Sequence, residues 1–268
     1  MKKIELAELK KIQLEILKDV HVYCIKKGIN YSLGYGTLIG AIRHKGYIPW
    51  DDDIDIIMPR ADYEKFIIEF NKENKKYKVI APCILSMSYA PYANVINTET
   101  ILVEEHISND YEMGIKIDVF PIDNVPSNTI RRKILYAKVK LIKELIIYKN
   151  NNLSSLRHHW KKILSRVVKS VFSKVDLSLR LEELASAQNI KNLNSGIVNN
   201  IVWCACDEKG CFPKSALKEY INVSFENNEF KALFGYDDFL KAHYGDYMKL
   251  PPKEKQINHH DFVAYWKC

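Results

Sequence analysis

Four aspartates in five positions, Asp51, Asp52, Asp53 and Asp55, run into the apolar residues Ile54, Ile56, Ile57 and Met58. Few folds accommodate that. A strand beginning after Pro49 and Trp50 sends Asp51, Asp53 and Asp55 to one face and Asp52 to the other, because side chains alternate along a strand. Three like charges on one face repel, and aspartate is a poor strand former. A solvated acidic turn would relieve the repulsion, but the apolar residues that follow draw the segment into a core. The pattern is stable when a cation or a strongly basic ligand neutralises it. A hard divalent ion suits it, since Mg²⁺ typically takes one or two carboxylates and fills its shell with water and phosphate oxygens.

The residues ahead of the aspartates support this reading. Ile29 to Tyr35 alternates as a short strand, and Gly34 and Gly36 bracket the turn out of it. Thr37 is placed to cap a brief helix running to about His44, whose first amide groups would face the aspartates as a phosphate cradle. Further on, Gly114 to Pro121 (GIKIDVFP) alternates Ile115, Ile117 and Val119 with Lys116, Asp118 and Phe120. A carboxylate among such neighbours is expensive to bury alone, which makes Asp118 a candidate third member of the acidic site. The ordinary alternative is an aspartate on a wet face of the sheet.

The rest of the chain supplies the frame. Its 268 residues, 47% hydrophobic, suffice for one sizeable core, and a single domain over 1–268 is expected. Leu9, Ile12, Ile16, Val20, Tyr23 and Cys24 recur at helical spacing between Ile4 and Lys27, and Gly28 ends that helix. A second helix is expected over Ala61 to Asn71. Strands extending the sheet are expected at Tyr77–Ala81, Ile84–Met87, Ala93–Asn97 and Ile101–Glu104. Gln188 to Asn200 reads as a polar linker.

No run of 18 apolar residues occurs, and MKKIELAELKK carries acids where a signal peptide has its apolar stretch, so a cytoplasmic protein is expected. The six cysteines then read as reduced thiols, with Cys204, Cys206 and Cys211 a weak zinc signal at best.

The net charge of +7 is regional. Between Arg131 and Lys174 there are thirteen Lys or Arg and one acid, Glu144. Two helices are expected there, one with the stripe Leu135, Val139, Ile142 and Ile146. The other carries Leu156, Trp160, Ile163, Leu164, Val167, Val168, Val171, Phe172 and Val175, flanked by Arg157, Lys161, Lys162, Arg166 and Lys169. Such a helix suits the interface of an anionic membrane, and equally a pair whose stripes face each other under a solvated basic surface. Nucleic acid is not expected as a partner, because the rest of the chain is acidic and no base-stacking platform is present.

GTLIGAIRHKGYIPWDDDIDIIMPRADYEKF (from Gly36), IDVFPID (from Ile117) and YGDYMKLPP with the later HHDF, in that order, resemble the signature blocks of the LicD-type phosphocholine transferases. That family is similar to the fukutin-related phosphopolyol transferases and to the nucleotidyltransferase superfamily. The resemblance implies an α+β fold, a nucleotidyltransferase-like mixed sheet with flanking helices and a basic helical insertion at 128–187. It places Gly36 and Thr37 in the phosphate turn and Asp53, Asp55 and Asp118 in the Mg²⁺ or Mn²⁺ site, with Asp51 or Asp118 able to take a proton. Two departures stand out: Tyr35 replaces a small residue, and Thr37 stands where serine is common.

The implied reaction moves phosphocholine from CDP-choline to a hydroxyl of a cell-surface glycan of teichoic acid or lipopolysaccharide type, or to its lipid-linked precursor, releasing CMP. Arg43, His44 and Lys45 are the expected phosphate contacts. Tyr35, Trp50, Tyr92, Tyr265 and Trp266 are candidates for an aromatic cage around the quaternary ammonium, and His259 and His260 for phosphate or metal. The alternatives are another CDP-alcohol, carrying ethanolamine, ribitol or glycerol phosphate, and nucleotidyl transfer to a small-molecule hydroxyl. A lipid-linked acceptor implies work at the inner face of the cell membrane, with residues 131–174 making a peripheral contact.

Overall fold

The computed structural model describes residues 1–84, 90–104, 113–150, 158–203, 209–257 and 262–267. The chain opens with β1 (Lys2–Ile4) and the long helix α1 (Leu6–Lys27), which buries the predicted face through Leu9, Ile12, Ile16, Val20, Tyr23 and Cys24. Gly28 ends α1 at φ +62°, a left-handed conformation that suits glycine. Then come β2 (Ser32–Leu33), α2 (Tyr35–Ile39), which continues as a π-helical turn to His44, β3 (Asp55–Pro59) and α3 (Arg60–Glu73). They are followed by β4 (Tyr77–Ile80), β5 (Ala93–Asn97), β6 (Thr100–Glu104) and β7 (Lys116–Asn124). Three helices come next, α4 (Thr129–Asn150), α5 (His159–Val171) and α6 (Leu177–Lys191), then β8 (Ile197–Asn199) and β9 (Phe212–Pro213). The hairpin β10 (Tyr220–Phe225) and β11 (Asn228–Leu233), α7 (Tyr236–Tyr244) and β12 (Phe262–Trp266) complete the chain.

The main sheet has seven strands. Five run in the order β2-β3-β7-β5-β4, and β8 joins the far end of β7 and carries β9. The sheet is mixed: β3 and β7 are parallel, and the other pairs are antiparallel. Its centre is the parallel pair, whose side chains Ile56, Ile57, Val119 and Phe120 are all but inaccessible to solvent. This is an α+β fold of the nucleotidyltransferase-like kind.

Three expectations are corrected. The strand at Ile101–Glu104 does not extend the main sheet, because β6 pairs with β12, which pairs with β1 in a separate three-stranded sheet that joins the two ends of the chain. Ile84 lies in a turn, and residues 85–87 of the strand expected there fall outside the described residues. The Asn-rich stretch 188–200 is not a linker. Asn189 donates to an Asp123 oxygen at 2.5 Å and accepts from the Asn124 amide, while Asn199 and Asn200 are wholly buried. Asn199 donates to the Tyr136 hydroxyl and Asn200 to the Tyr35 hydroxyl, so the stretch is tied into the protein by buried hydrogen bonds.

The helical insertion is fastened to the sheet by ions. Arg60, at the start of α3, donates from Nε and Nη2 to the two oxygens of Asp123 on β7, at 2.6 and 2.7 Å. Its Nη1 donates to Glu182 on α6. All three side chains are buried, so α3, β7 and α6 meet in one ionic knot in which a single guanidinium bridges two carboxylates. Among the described residues no helix is long and apolar enough to cross a membrane.

Candidate active site

The ladder of β3 begins at Asp55, four residues later than the strand expected after Trp50. Asp51 is held by a turn, its amide donating to the Ile48 carbonyl at 2.9 Å, and β2 is only two residues long, so 51–54 has no antiparallel neighbour to pair with. The alternation survives nonetheless. Asp51, Asp53 and Asp55 line one cavity of about 640 Å³, while Asp52 is buried outside it, with Gln13 donating to its carbonyl. Across the parallel ladder Asp55 stands in register with Asp118, and the Asp118 amide donates to the Ile54 carbonyl at 2.9 Å. Period-two spacing along 51–55 and the parallel pairing of β3 with β7 thus bring four carboxylates to one cavity.

Gly36 and Thr37 have separate tasks. Gly34, not Thr37, is the N-cap of α2, and it offers no side chain to the helix. Thr37 lies inside the helix, where its Oγ1 accepts the Asp55 amide at 2.8 Å in a buried bond. Gly36 lines the cavity, and a Cβ there would come within 2.5 Å of Asp51 Oδ2. The glycine lets backbone and carboxylate approach closely. Thr37→Val, which leaves the Asp55 amide buried without an acceptor, is expected to cost about 1–3 kcal/mol, whereas Thr37→Ser keeps the bond. Urea denaturation of both variants checks this, and equal midpoints would remove the assigned role.

The electrostatics favour a cation. The pKa of Asp55 is pushed well up, first by burial and then by the charges of Asp53, Asp118 and Asp51, with Lys116 working in the opposite direction. Lys116 Nζ lies 3.0 Å from Asp118 Oδ1, which also accepts from Asn94 at 2.6 Å. Asp118, expected to ligate metal, is therefore engaged by an ammonium and an amide. Among the described residues no group of three or more His, Cys, Asp or Glu forms a ready-made metal cage. The donor set fits an ion that takes one or two carboxylates and completes its shell with phosphate oxygens and water, as Mg²⁺ does. Asp53 and Asp55, both in the cavity lining, could hold such an ion.

The expected phosphate contacts lie elsewhere. Arg43 Nη1 donates to the Tyr247 carbonyl at 2.6 Å and its Nε to His44 Nε2 at 2.9 Å, while the Lys45 carbonyl receives the Glu226 amide. None of the three lines the cavity, because the π-helical turn carries them toward the C-terminal segment. The cations in the cavity wall are Lys116 and Lys143. Lys116 was legible, since it shares a face with Asp118 in the alternating strand. Lys143 and Asn150, from α4, had no local signal.

The aromatic wall is likewise part expected and part new. Tyr35, Trp50 and Tyr92 line the cavity, joined by Phe120, Trp203 and Tyr244. Tyr265 and Trp266 do not: both lie on β12, and Trp266 Nε1 donates to Glu8 at 3.0 Å. His259 and His260 lie outside the described residues. Tyr35 adopts φ +42°, strained for a residue with a side chain. Its hydroxyl accepts from Asn200 Nδ2 at 2.7 Å, and Asn200 Oδ1 accepts the Trp203 amide at 3.0 Å, so one buried amide positions two aromatic residues of the wall. The segment Tyr244-Gly245-Asp246-Tyr247 also gains a meaning. Gly245 ends α7 at φ +67°, leaving Tyr244 at the cavity and the Tyr247 carbonyl on Arg43. Desolvation of the hydroxyl, then the charges of Asp55, Asp51 and Asp53, push Tyr244 up although 47% of the residue stays exposed, so it stays protonated beside the acids.

A mixed sheet that aligns carboxylates on adjacent parallel strands beside a glycine turn is the arrangement of a nucleotidyltransferase-like fold. The LicD/FKTN/FKRP nucleotidyltransferase-domain model matches residues 28–151, which span the turn, the aspartates and β7. The chain is 34% identical, over a 279-residue alignment covering 99% of both proteins, to the lipopolysaccharide cholinephosphotransferase LicD of Haemophilus influenzae. It is also 35% identical over 89 residues to an uncharacterized protein of Rickettsia typhi, covering 30% of this chain and 29% of that one. A second uncharacterized protein, from Rickettsia prowazekii, is 44% identical over 63 residues, 23% of this chain and 24% of its own. The chain belongs to the LicD/FKTN/FKRP family.

Proposed function

We propose that the protein transfers phosphocholine from CDP-choline to a hydroxyl of a glycan or its lipid-linked precursor, releasing CMP. The observation that carries this reading is that one cavity is lined both by the acids Asp51, Asp53, Asp55 and Asp118 and by the aromatic residues Tyr35, Trp50, Tyr92, Phe120, Trp203 and Tyr244. A diphosphate with a quaternary ammonium at one end requires both. The likeness to a lipopolysaccharide cholinephosphotransferase over nearly its full length supports the same choice of cargo and acceptor.

In this reaction the acceptor oxygen bonds to the phosphorus that carries choline, and the bond from that phosphorus to the bridging oxygen breaks. CMP leaves with the electron pair. The hydroxyl proton passes to a cavity carboxylate, Asp51 or Asp118. Mg²⁺ held by Asp53 and Asp55 would supply charge neutralisation of the diphosphate. Lys116 and Lys143 add positive charge on the protein's side, and Lys116 with Asn94 fixes Asp118 in place. Tyr92, Phe120 and Trp203 form a corner, with Tyr92 centred 4.4 Å from Phe120 and 5.4 Å from Trp203. The Trp203 ring already faces a cation, since Lys143 Nζ lies 5.6 Å from its centroid. These rings are the proposed choline subsite, with Tyr35 and Trp50 beside them.

The decisive assay measures CMP release from CDP-choline with and without Mg²⁺ and a glycan acceptor. CMP and phosphocholine-bearing acceptor are expected together. A nucleotide on the acceptor, or turnover with only CDP-ribitol or CDP-glycerol, would replace this reading. In the same assay Trp203→Leu is expected to raise the KM for CDP-choline roughly tenfold, the loss of about one cation–π contact.

A further inference from the structure

We propose that the outward face of α5 docks onto a bilayer surface rich in anionic lipid. The sequence left two uses open for this helix, and only part of its stripe packs inward: Val168 is buried and Phe172 and Val175 are partly buried against the core. α5 buries Ser165 and Val168, and Ser165 Oγ donates to the Tyr148 carbonyl of α4 at 2.7 Å. Trp160, Ile163, Leu164, Val167 and Val171, which share a helix face by their three- and four-residue spacing, are 37–66% exposed. One polar and one apolar side chain are inside, and five large apolar ones are outside. Ordinary surface helices show the reverse.

The charge around the stripe identifies what covers it. Lys161, Lys162, Arg166 and Lys169 lie on the same helix, and no Asp or Glu occurs from 145 to 175. Lys161 Nζ lies 5.5 Å from the Trp160 ring centroid, a pairing of aromatic and cation that suits the headgroup layer. A second copy of this chain would bring two such basic faces together with no acid between them, which Coulomb repulsion disfavours. Anionic headgroups pair with the lysines and arginines while the acyl boundary takes the apolar side chains.

The docking stands independently of the catalytic reading. Where that reading holds, it has a consequence: α4, on which α5 packs, supplies Lys143, Ile146, Ile147 and Asn150 to the cavity wall, so docking holds the cavity close to a lipid-linked acceptor.

The test is cosedimentation of the full chain with phosphatidylcholine vesicles and with vesicles that also contain phosphatidylglycerol. Binding to the mixed vesicles, weakening as salt rises, is expected. Val167→Glu with Val171→Glu should reduce it roughly tenfold or more while circular dichroism and Tm stay as in the wild type, both sites being exposed. Lys161→Gln with Arg166→Gln should weaken binding to the mixed vesicles. The proposal is overturned if the mixed vesicles do not bind the wild type, or if they bind the double glutamate variant equally. It is also overturned if light scattering finds a dimer that the glutamates dissolve, which would assign the face to a second copy. None of these readouts needs turnover, so an inactive preparation with CDP-choline does not affect the outcome.

Discussion

Asp55→Asn should abolish transfer, lowering kcat by roughly a thousandfold or more through loss of a carboxylate that holds cationic charge against the diphosphate, and at the same time should make the metal-free protein melt higher. The second half follows from linkage. Asp55 is buried, and its folded-state pKa is raised by that burial and by Asp53, Asp118 and Asp51. A group with a raised folded pKa contributes its stability below its unfolded pKa, about 4, and loses it as pH rises through the folded value. Metal-free wild type should therefore lose Tm as pH rises from the ordinary carboxylate range toward neutrality, and Asp55→Asn should lose less. Added Mg²⁺ should restore Tm to the wild type and leave the variant unchanged. Thermal melts across pH, with and without Mg²⁺, read all of this, and a variant that turns over normally would end the assignment.

Asp123→Ala should be the most destabilising single change outside the apolar core, at about 3–5 kcal/mol. The loss leaves the Arg60 guanidinium buried with Glu182 as its remaining carboxylate partner, and it also removes one of the two acceptors of Asn189 Nδ2. Because α6 is tied to β7 through this knot, the insertion loosens first, and hydrogen exchange should rise in α6 before it rises in β3. A fall in stability of less than about 1 kcal/mol would mean that the knot behaves as a surface pair. The two substitutions test opposite uses of buried aspartate: Asp123 is compensated by protein, and Asp55 awaits compensation from outside.

The acidic site was legible because its rules are local. Alternation sorts Asp51, Asp53 and Asp55 from Asp52 whether or not a ladder forms, and it places Lys116, Asp118 and Phe120 on one face of β7. The misreadings came where direction depends on a turn. Arg43, His44 and Lys45 follow the glycine turn closely in sequence, yet the π-helical turn carries them to Tyr247 and Glu226. Thr37 looked like a cap and is an interior acceptor, because Gly34 already occupies the cap position. Tyr265 and Trp266 are aromatic residues near a family block, but pairing with β1 and β6 commits them to another sheet.

From residue order alone came the two alternating segments, the acids they carry and the family whose blocks they match, since each rests on near neighbours or on long contiguous motifs. Packing across distant segments settled the rest. Lys143 and Asn150 reach the cavity from α4, Trp203 from the segment after β8, and Tyr244 from the end of α7. No spacing rule links those positions to Asp55. Packing also settled which way α5 turns, because a periodic apolar stripe records that a face is apolar and leaves open what covers it.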